Sequence, residues 1–357
     1  MTIRNFEDIL DMRVGVSASH EAVNKVAKTS YDKLVAFQNV TSYSMQQVFH
    51  ACPRKFAIKK LRAATGNTER RSTPTFAFGH AVGAGVAVFD KTQDLRQAIW
   101  AAFLAWDIDL LEEEVKGTRK TGKSFHEAVW ALYAWRQFSN EETDMADYDV
   151  VQIEASLVVD FEDGHYYVAH VDELLRNRYT GTFRVKENKT TGLTSVDPAM
   201  YSNSDQGLSY ALIVDSYGGT EYEVHYTVYS SATQTWMQFP FVKSASKKAE
   251  WIQDQLLQHQ QTEQYAELNF FPKRGGSCLQ FMRRCEEYET CDLSSDRAYG
   301  MKFAELPKCA TIDDIRAIEH VDMVVTLSEV IQRQKDRLNF PNAVVTAPTE
   351  ESEDQDD

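Results

Sequence analysis

Glu187 and Lys189 lie two residues apart in the segment RVKENKTTG, residues 184–192, which otherwise looks like the end of a buried strand running into a loop. Successive side chains of a strand point to opposite faces, so this carboxylate and this ammonium share one face. Lys186 and Asn188 share the other face, and we expect substitution of Lys186 to be mild. On a solvated sheet the same spacing gives an ordinary ion pair, so the pair indicates chemistry only if other polar residues accompany it.

Asp172 is the first such residue. It lies fifteen residues before Glu187, in the segment AHVDELL, and a hairpin between the two would place them on adjacent strands. Two carboxylates held that close repel each other unless they share a cation or a proton. Oxygen ligands of this kind suit Mg²⁺ or Mn²⁺, and a neighbouring lysine can orient water and stabilise charge on a phosphate. The three residues therefore predict metal-assisted phosphate chemistry.

The elements that must position these residues follow a clear order along the chain. Apolar residues repeat at helical spacing between about residues 75 and 145, as in SFHEAVWALYAW. Strand-like segments follow, joined by the turn EDG at residues 162–164, and later come another strand pair and a long amphipathic helix. This order predicts an α/β fold, a mixed central β-sheet flanked by helices, with an inserted helical region.

Length and charge limit the class of protein. The chain has 357 residues, 43% of them apolar, which is enough for one large domain or two smaller ones. It has no apolar run of membrane-spanning length and no signal-peptide segment at its start, so we expect a cytoplasmic protein, bacterial or in a virus-infected host cell. The net charge of −15 argues against a protein that coats DNA generically.

Local clusters of positive charge nevertheless occur at residues 54–62, 70–71, 116–123 and 272–276. Such clusters are often only solvated surface. Together with aromatic residues such as Tyr43, Phe56 and Trp130, they are expected to hold single-stranded DNA by charge and stacking.

The segments FGHAVG, VDELL, VKENKTTG and QGLSYAL occur in this order along the chain. In order and spacing they resemble the PD-(D/E)XK nuclease superfamily, and within it the RecB-like branch of iron–sulfur exonucleases of the CRISPR-associated and AddB type. The resemblance implies a restriction-endonuclease-like core in which His80, Asp172 and Glu187 hold the metal and Lys189 serves catalysis.

The same resemblance assigns roles around the lysine. It implies that Gln206 and Tyr210, which share one face of a helix, contact DNA or hold Lys189 in place. Arg54, in the segment CPRKF, matches a family run of cysteine, proline, basic and aromatic residues and is expected to share these roles.

Five cysteines, three of them between residues 278 and 291, suggest a metal or cluster site, because an odd count in a cytosolic chain argues against a disulfide framework. The resemblance implies that Cys52, Cys278, Cys285 and Cys291 bind a [4Fe–4S] cluster that clasps the C-terminal part to the rest of the domain. A zinc ion bound by four cysteines is the competing assignment. Cys309 is expected to be an ordinary thiol.

These observations predict a divalent-metal-dependent deoxyribonuclease, an exonuclease on DNA ends or single strands in recombination, repair or defence. The alternatives are a non-catalytic DNA-end-binding or adaptor protein that retains the fold and cluster, and an electron-transfer protein. We expect an N-terminal helical arm (1–40), a nuclease domain (41–292), a C-terminal helical extension (293–345) and a disordered acidic tail (346–357) that recruits a protein partner.

Overall fold

The computed structural model describes residues 33–66, 73–115, 123–202, 204–214, 223–280, 283–292, 302–308 and 311–339. Most of the expected N-terminal arm, the acidic tail and Cys309 lie outside these residues. Within the described residues, none of the helices is both long and apolar enough to cross a membrane.

The described residues up to Glu141 are mainly helical. A short strand β1 (Val40–Thr41) precedes two helices, α1 (Tyr43–Ala51) and α2 (Pro53–Ala64). The predicted helical region consists of α3 (Pro74–Thr92), α4 (Leu95–Ala105), α5 (Ile108–Val115) and α6 (Phe125–Glu141).

The strands follow in the middle of the chain. They are β2 (Tyr148–Asp160), β3 (Tyr166–Asn177) and β4 (Phe183–Thr191), and then, after helices α7 (Ala199–Ser202) and α8 (Asp205–Val214), β5 (Glu223–Ser230) and β6 (Thr235–Val242). The long helix α9 (Ala245–Glu267) comes next. The last elements are short strands β7 (Leu279–Gln280) and β8 (Arg283–Arg284), helices α10 (Tyr288–Asp292) and α11 (Ile312–Arg316), strand β9 (Met323–Thr326) and helix α12 (Leu327–Asn339).

The central sheet has the order β6-β5-β4-β3-β2-β9, with β1 also paired to β3. The β2–β3 and β3–β4 pairs are antiparallel, whereas β4–β5 and β2–β9 are parallel. The predicted mixed sheet flanked by helices is therefore confirmed. Strand β9 was not predicted, because its four residues, MVVT, are too few to show an alternating pattern.

Helices cover both faces of this sheet. One apolar cluster joins α8 and α9 to the sheet and includes the fully buried Val185, Val224 and Tyr226. A second cluster joins α3, α4 and α6 and includes Trp106 and Trp135. The small residues of α3 permit this close packing, because a Cβ atom at Gly85 would lie only 2.7 Å from the Leu132 methyl carbons.

A third cluster ties the beginning of the domain to its end. Phe49 and Phe56, from α1 and α2, pack with Phe271 and Phe303. Phe56 is only 2% exposed, so the expectation that it stacks on DNA is wrong, and its ring stabilises the core instead. Trp130, on α6, is 50% exposed.

Candidate active site and cysteine cluster

Strands β3 and β4 separate at the point where the predicted acidic residues lie. Their backbone pairing ends at Glu173 and Lys186, so Asp172 and Glu187 are the next two residues beyond the last pair. There the backbone amide of Asn188 donates a 2.7 Å hydrogen bond to Asp172 Oδ2 instead of to a backbone carbonyl. The hairpin thus brings Asp172 and Glu187 together where the sheet opens.

Four of the predicted site residues form one hydrogen-bonded chain across this opening. Lys189 Nζ donates to Glu187 Oε1 at 2.6 Å and to Gln206 Oε1 at 2.9 Å. Gln206 Nε2 donates to the Tyr210 hydroxyl at 2.7 Å, one helical turn further along α8. The Tyr210 hydroxyl in turn donates to the backbone carbonyl of His170, in β3, at 2.5 Å. Each bond restricts the next side chain, so the lysine is held from two elements.

The charges of the site oppose one another. Burial of its carboxyl group and the neighbouring charge of Glu187 raise the pKa of Asp172 to about 8. Burial also raises the pKa of Glu187, although Lys189 partly offsets this effect. Burial alone would lower the pKa of Lys189, but the charges of Glu187 and Asp172 raise it above its usual range. Lys189 is therefore an ammonium group at neutral pH, beside two carboxyl groups that favour a shared proton or cation.

The donor set of this opening fits a hard divalent cation. Glu187 is only 3% exposed, and its Oε2 atom is buried without a hydrogen-bond partner among the described residues. A buried acceptor oxygen without a hydrogen bond destabilises the folded protein, and a bound cation would offset this cost. Two carboxylates, one with an unused buried oxygen, have the ligand chemistry of Mg²⁺ and Mn²⁺.

His80 lies on α3, the helix that runs beside β4. A Cβ atom built on the preceding residue, Gly79, would lie 3.5 Å from the hydroxyl of Thr190, which follows Lys189. His80 is exposed, and its ring lies 5.5 Å from that of Phe76. Within the described chain, however, the ligand atoms of His80, Asp172 and Glu187 do not all come within 4.8 Å of one another. The structure brings the helix to the site but does not draw these three side chains together.

Glu154 is a third carboxylate at the site that the sequence analysis missed. Its neighbours in β2 pair with Glu173 and Val171, so Glu154 lies opposite Asp172. Desolvation of its carboxyl group and the charge of Asp172 raise the pKa of Glu154 to about 7, although the residue as a whole is exposed. Its backbone has a φ of 50°, in the left-handed region, which is costly for a residue with a side chain. The only sequence signal for this residue was a single carboxylate within the strand segment QIEASLVV.

The opposite face of β4 holds a buried ion cluster. Lys186 Nζ lies 2.5 Å from Asp90 Oδ2, on α3, and 2.6 Å from Glu173 Oε1, and all three side chains are at most 1% exposed. Burial alone would lower the pKa of Lys186, but the two carboxylates raise it. Substitution of Lys186 would therefore leave two acidic groups buried without their cation, so we now expect a destabilising effect rather than a mild one.

The four predicted cluster cysteines line one cavity of about 290 Å³, together with Lys55 and Lys273. Cys52 precedes α2, and Cys278, Cys285 and Cys291 follow 226 to 239 residues later. The Ser277 hydroxyl bonds to the Ala51 carbonyl at 2.6 Å, which fixes the two segments together. Among the described residues, no three of these sulfur atoms lie within 4.8 Å of one another.

Arg54 does not join the chain of hydrogen bonds around Lys189. Its Nε donates to the Phe271 carbonyl at 2.7 Å, and its guanidinium lies 5.7 Å from the centre of the Phe270 ring. The first turn of α2 faces the segment that leads to Cys278, so Arg54 anchors that segment rather than Lys189.

Residues 40–292 match the family model of the PD-(D/E)XK nuclease superfamily. No curated protein matches the chain. Among solved structures, a Eubacterium rectale protein named "putative exonuclease" shares 14% identity over 78% of this chain and 94% of its own, with a TM-score of 0.43. The protein SSO0001 shares 10% identity over 57% of this chain and 85% of its own, with a TM-score of 0.25. The assignment therefore rests on the family match.

Proposed function

The chain belongs to the PD-(D/E)XK nuclease superfamily, and from this premise we propose that it is a divalent-metal-dependent deoxyribonuclease acting on DNA ends or single strands. The observation that carries the proposal is the chain of hydrogen bonds from Glu187 through Lys189 and Gln206 to Tyr210. It holds one ammonium group beside two carboxylates where the sheet opens, which is the arrangement that hydrolysis of a phosphodiester needs.

Asp172 and Glu187 would hold the metal ion, with His80 as a third ligand. The unused Glu187 Oε2 and the raised pKa of Asp172 support this assignment. When bound, such an ion offsets negative charge on the scissile phosphate and makes its bound water more acidic. His80 is exposed on the neighbouring helix, so its imidazole must turn towards the carboxylates to take part.

Lys189 acts as a positively charged donor in this proposal. Since its pKa lies above the usual lysine range, it does not accept a proton from water at neutral pH. It orients the attacking water and stabilises negative charge that develops on the phosphate oxygens. Gln206 and Tyr210 keep the ammonium group in place by their hydrogen bonds.

Action on DNA ends rests on the resemblance to the RecB-like branch, as do the assignments to recombination, repair or defence. The four-cysteine cavity supports that resemblance, because iron–sulfur members of the branch use cysteines in these positions. A zinc ion holds four thiolates about 3.8 Å apart, given Zn–S bonds of about 2.3 Å. A [4Fe–4S] cluster, in which each thiolate binds a different iron, would use the same four thiolates, and the metal and sulfide content of the purified protein decides between the two.

The decisive experiment incubates purified protein with end-labelled single-stranded DNA, double-stranded DNA and RNA, with Mn²⁺ or with EDTA. We expect cleavage of DNA with Mn²⁺ only, and a loss on the order of 10²–10³-fold in Lys189→Ala. Lys91→Ala, which removes an exposed lysine from α3, serves as the control and should cleave normally.

Two results would contradict the proposal. Cleavage that persists in EDTA rejects metal dependence, and normal cleavage by Lys189→Ala rejects the assigned site. Tight binding of DNA ends without cleavage under any metal condition would favour the non-catalytic end-binding protein.

A further inference from the structure

A second group of metal-ligating side chains lies at the tip of the β2–β3 hairpin. Asp163, His165 and His259 place one ligand atom each within 4.8 Å of one another. His165 Nδ1 lies 3.2 Å from Asp163 Oδ1, and His259 Nδ1 lies 3.3 Å from Asp163 Oδ2. The two histidines are 8% and 4% exposed, so the single carboxylate joins two buried imidazoles.

The turn is built to present this carboxylate. Glu162 and Gly164, on either side of Asp163, have φ values of 58° and 88°, in the left-handed region. Asp163 Oδ1 also accepts the backbone amide of His165 at 2.9 Å. Burial works against the charged form, but hydrogen bonds from His259 and His165 lower the pKa of Asp163 to about 2.

Helix α9 supplies the other half of the group. His259 packs edge-on against Phe161, with ring centres 4.7 Å apart, and its Nε2 is buried without a hydrogen-bond partner among the described residues. Glu263 lies one helical turn further along α9, with Oε1 3.8 Å from His165 Nε2. Two imidazoles and one carboxylate are a donor set for Zn²⁺, Co²⁺ or Ni²⁺, and a poor one for Mg²⁺.

We propose that Asp163, His165 and His259 form a binding site for a zinc-class divalent ion that clamps the β2–β3 hairpin to α9. The site is separate from the candidate nuclease site. His165 precedes Asp172 by seven residues along an extended strand, which corresponds to roughly 20 Å. The proposal therefore does not depend on the proposed function.

Ion binding rearranges the two rings. They now lie parallel, with centres 4.2 Å apart and planes 10° apart, so their lone pairs run side by side and do not meet at one ion. One ring must turn about its Cβ–Cγ bond, a torsion with broad minima. On His165 the ion takes the place of the Nδ1 proton, which moves to Nε2, where Glu263 is its acceptor.

Zinc binding to the full-length protein tests the proposal. We expect isothermal titration calorimetry to count one more Zn²⁺ per chain in wild type than in His259→Gln, and Zn²⁺ to raise the melting temperature only where this site is intact. Asp163→Asn, at a partly exposed position, provides a second variant that keeps the shape of the carboxylate. The control is His320→Gln, because His320 also lies near an aspartate, Asp322, at 3.3 Å but is not part of the group.

The outcomes separate cleanly. Loss of one Zn²⁺ and of its thermal shift in both His259→Gln and Asp163→Asn, but not in His320→Gln, supports the clamp. Unchanged stoichiometry and thermal shift in Asp163→Asn overturn it, even if His259→Gln fails to fold. Loss of all Zn²⁺ binding on replacement of Cys278 and Cys285 by serine would assign the ion to the thiols and also overturn it.

Discussion

At the residue scale, the candidate nuclease site contains more carboxyl groups than its one lysine can neutralise if all of them were ionised. Asp172 and Glu154 have pKa values raised to about 8 and about 7, and that of Glu187 is raised as well. Strand alternation predicted that Glu187 and Lys189 share a face, and the expected hairpin predicted that Asp172 lies beside Glu187. Neither found Glu154, since the position opposite Asp172 depends on a local irregularity of β2 that no pattern reveals.

Proton and metal ion compete for these carboxylates, so we expect Mn²⁺ affinity to rise with pH. The pKa of Asp172 moves from 3.8 to about 8 in the folded protein. The folded state therefore keeps a proton that the unfolded chain loses, and the resulting stability is complete below pH 3.8 and is lost as pH rises through about 8. Calorimetry in buffers of different ionisation enthalpy should show proton release on Mn²⁺ binding below pH 8. An affinity that is constant between about pH 5 and 8 would contradict this prediction.

The left-handed backbone of Glu154 allows its structural and functional contributions to be separated. We expect Glu154→Gly to leave the free energy of unfolding unchanged or to raise it by up to about 1 kcal/mol, since relief of backbone strain outweighs or balances the entropy that glycine adds to the unfolded chain. Nuclease activity should fall on the order of 10–100-fold in both Glu154→Gly and Glu154→Gln, because a carboxylate beside the metal ligands is lost.

Glu162→Gly is the matched control for Glu154. Glu162 has the same residue type and a similar φ of 58°, but it lies at the β2–β3 turn. Its substitution should leave nuclease activity unchanged. Full activity in Glu154→Gln would show that this carboxylate takes no part in the reaction, whatever the effect on stability.

At the element scale, the β2–β3–β4 antiparallel meander carries the site on one face and an ion cluster on the other. The sequence predicted the meander and the following helix well, because each has a clear period and a turn or cap at its ends. It did not reveal the environment of Lys186, which was placed only on the face opposite Glu187 and Lys189. Helix α3 covers that face and brings Asp90 against Lys186. These residues are 96 positions apart, and alternation along a strand cannot predict a contact with a distant helix.

We expect Lys186→Ala to destabilise the protein by about 3–5 kcal/mol, as for other buried charge clusters that lose one partner. Asp90 and Glu173 would remain in the interior without a cation. Urea unfolding followed by tryptophan fluorescence measures the effect, with Lys91→Ala, at the adjacent exposed position of α3, as the control. The triple variant Asp90→Asn, Glu173→Gln, Lys186→Met should recover much of the loss, because it removes the charges together. A wild-type midpoint for Lys186→Ala would show that the cluster does not stabilise the fold.

At the scale of the whole molecule, contacts between α2 and the segment around residues 271–291 hold the beginning of the domain against its end. We call this set of contacts the closure. Lys59 Nζ lies 2.7 Å from Glu286 Oε1, and Arg62 lies 2.9 Å from Glu287, which is almost fully buried. The four cysteines face one cavity inside this closure. The grouping of these cysteines was predicted only from the resemblance to a known family. Contacts across more than two hundred residues depend on the complete fold, so spacing alone does not predict them.

The cavity predicts the metal content and the stability of the protein together. Anaerobically purified protein should be brown and contain iron and sulfide, since thiolate-bound iron–sulfur clusters absorb visible light and zinc sites do not. Serine in place of Cys52, Cys278, Cys285 or Cys291 should bleach the protein. The same variants should melt at lower temperature, because a cluster that joins segments far apart in sequence restricts the unfolded chain and contributes its binding free energy only to the folded state, so its loss favours unfolding.

Two comparisons separate the cluster from ordinary packing. Cys309→Ser should leave colour and melting temperature nearly unchanged. Arg62→Ala should weaken the closure without bleaching, because it breaks the ion pair with Glu287 but removes no thiolate.

Two other outcomes would contradict the cluster. Colourless wild-type protein with one zinc bound per chain at these cysteines would show a zinc site instead of the cluster and leave the nuclease assignment intact. If the serine variants keep both colour and melting temperature, the cysteines do not stabilise the closure. The ion pairs of α2 would then be its main support.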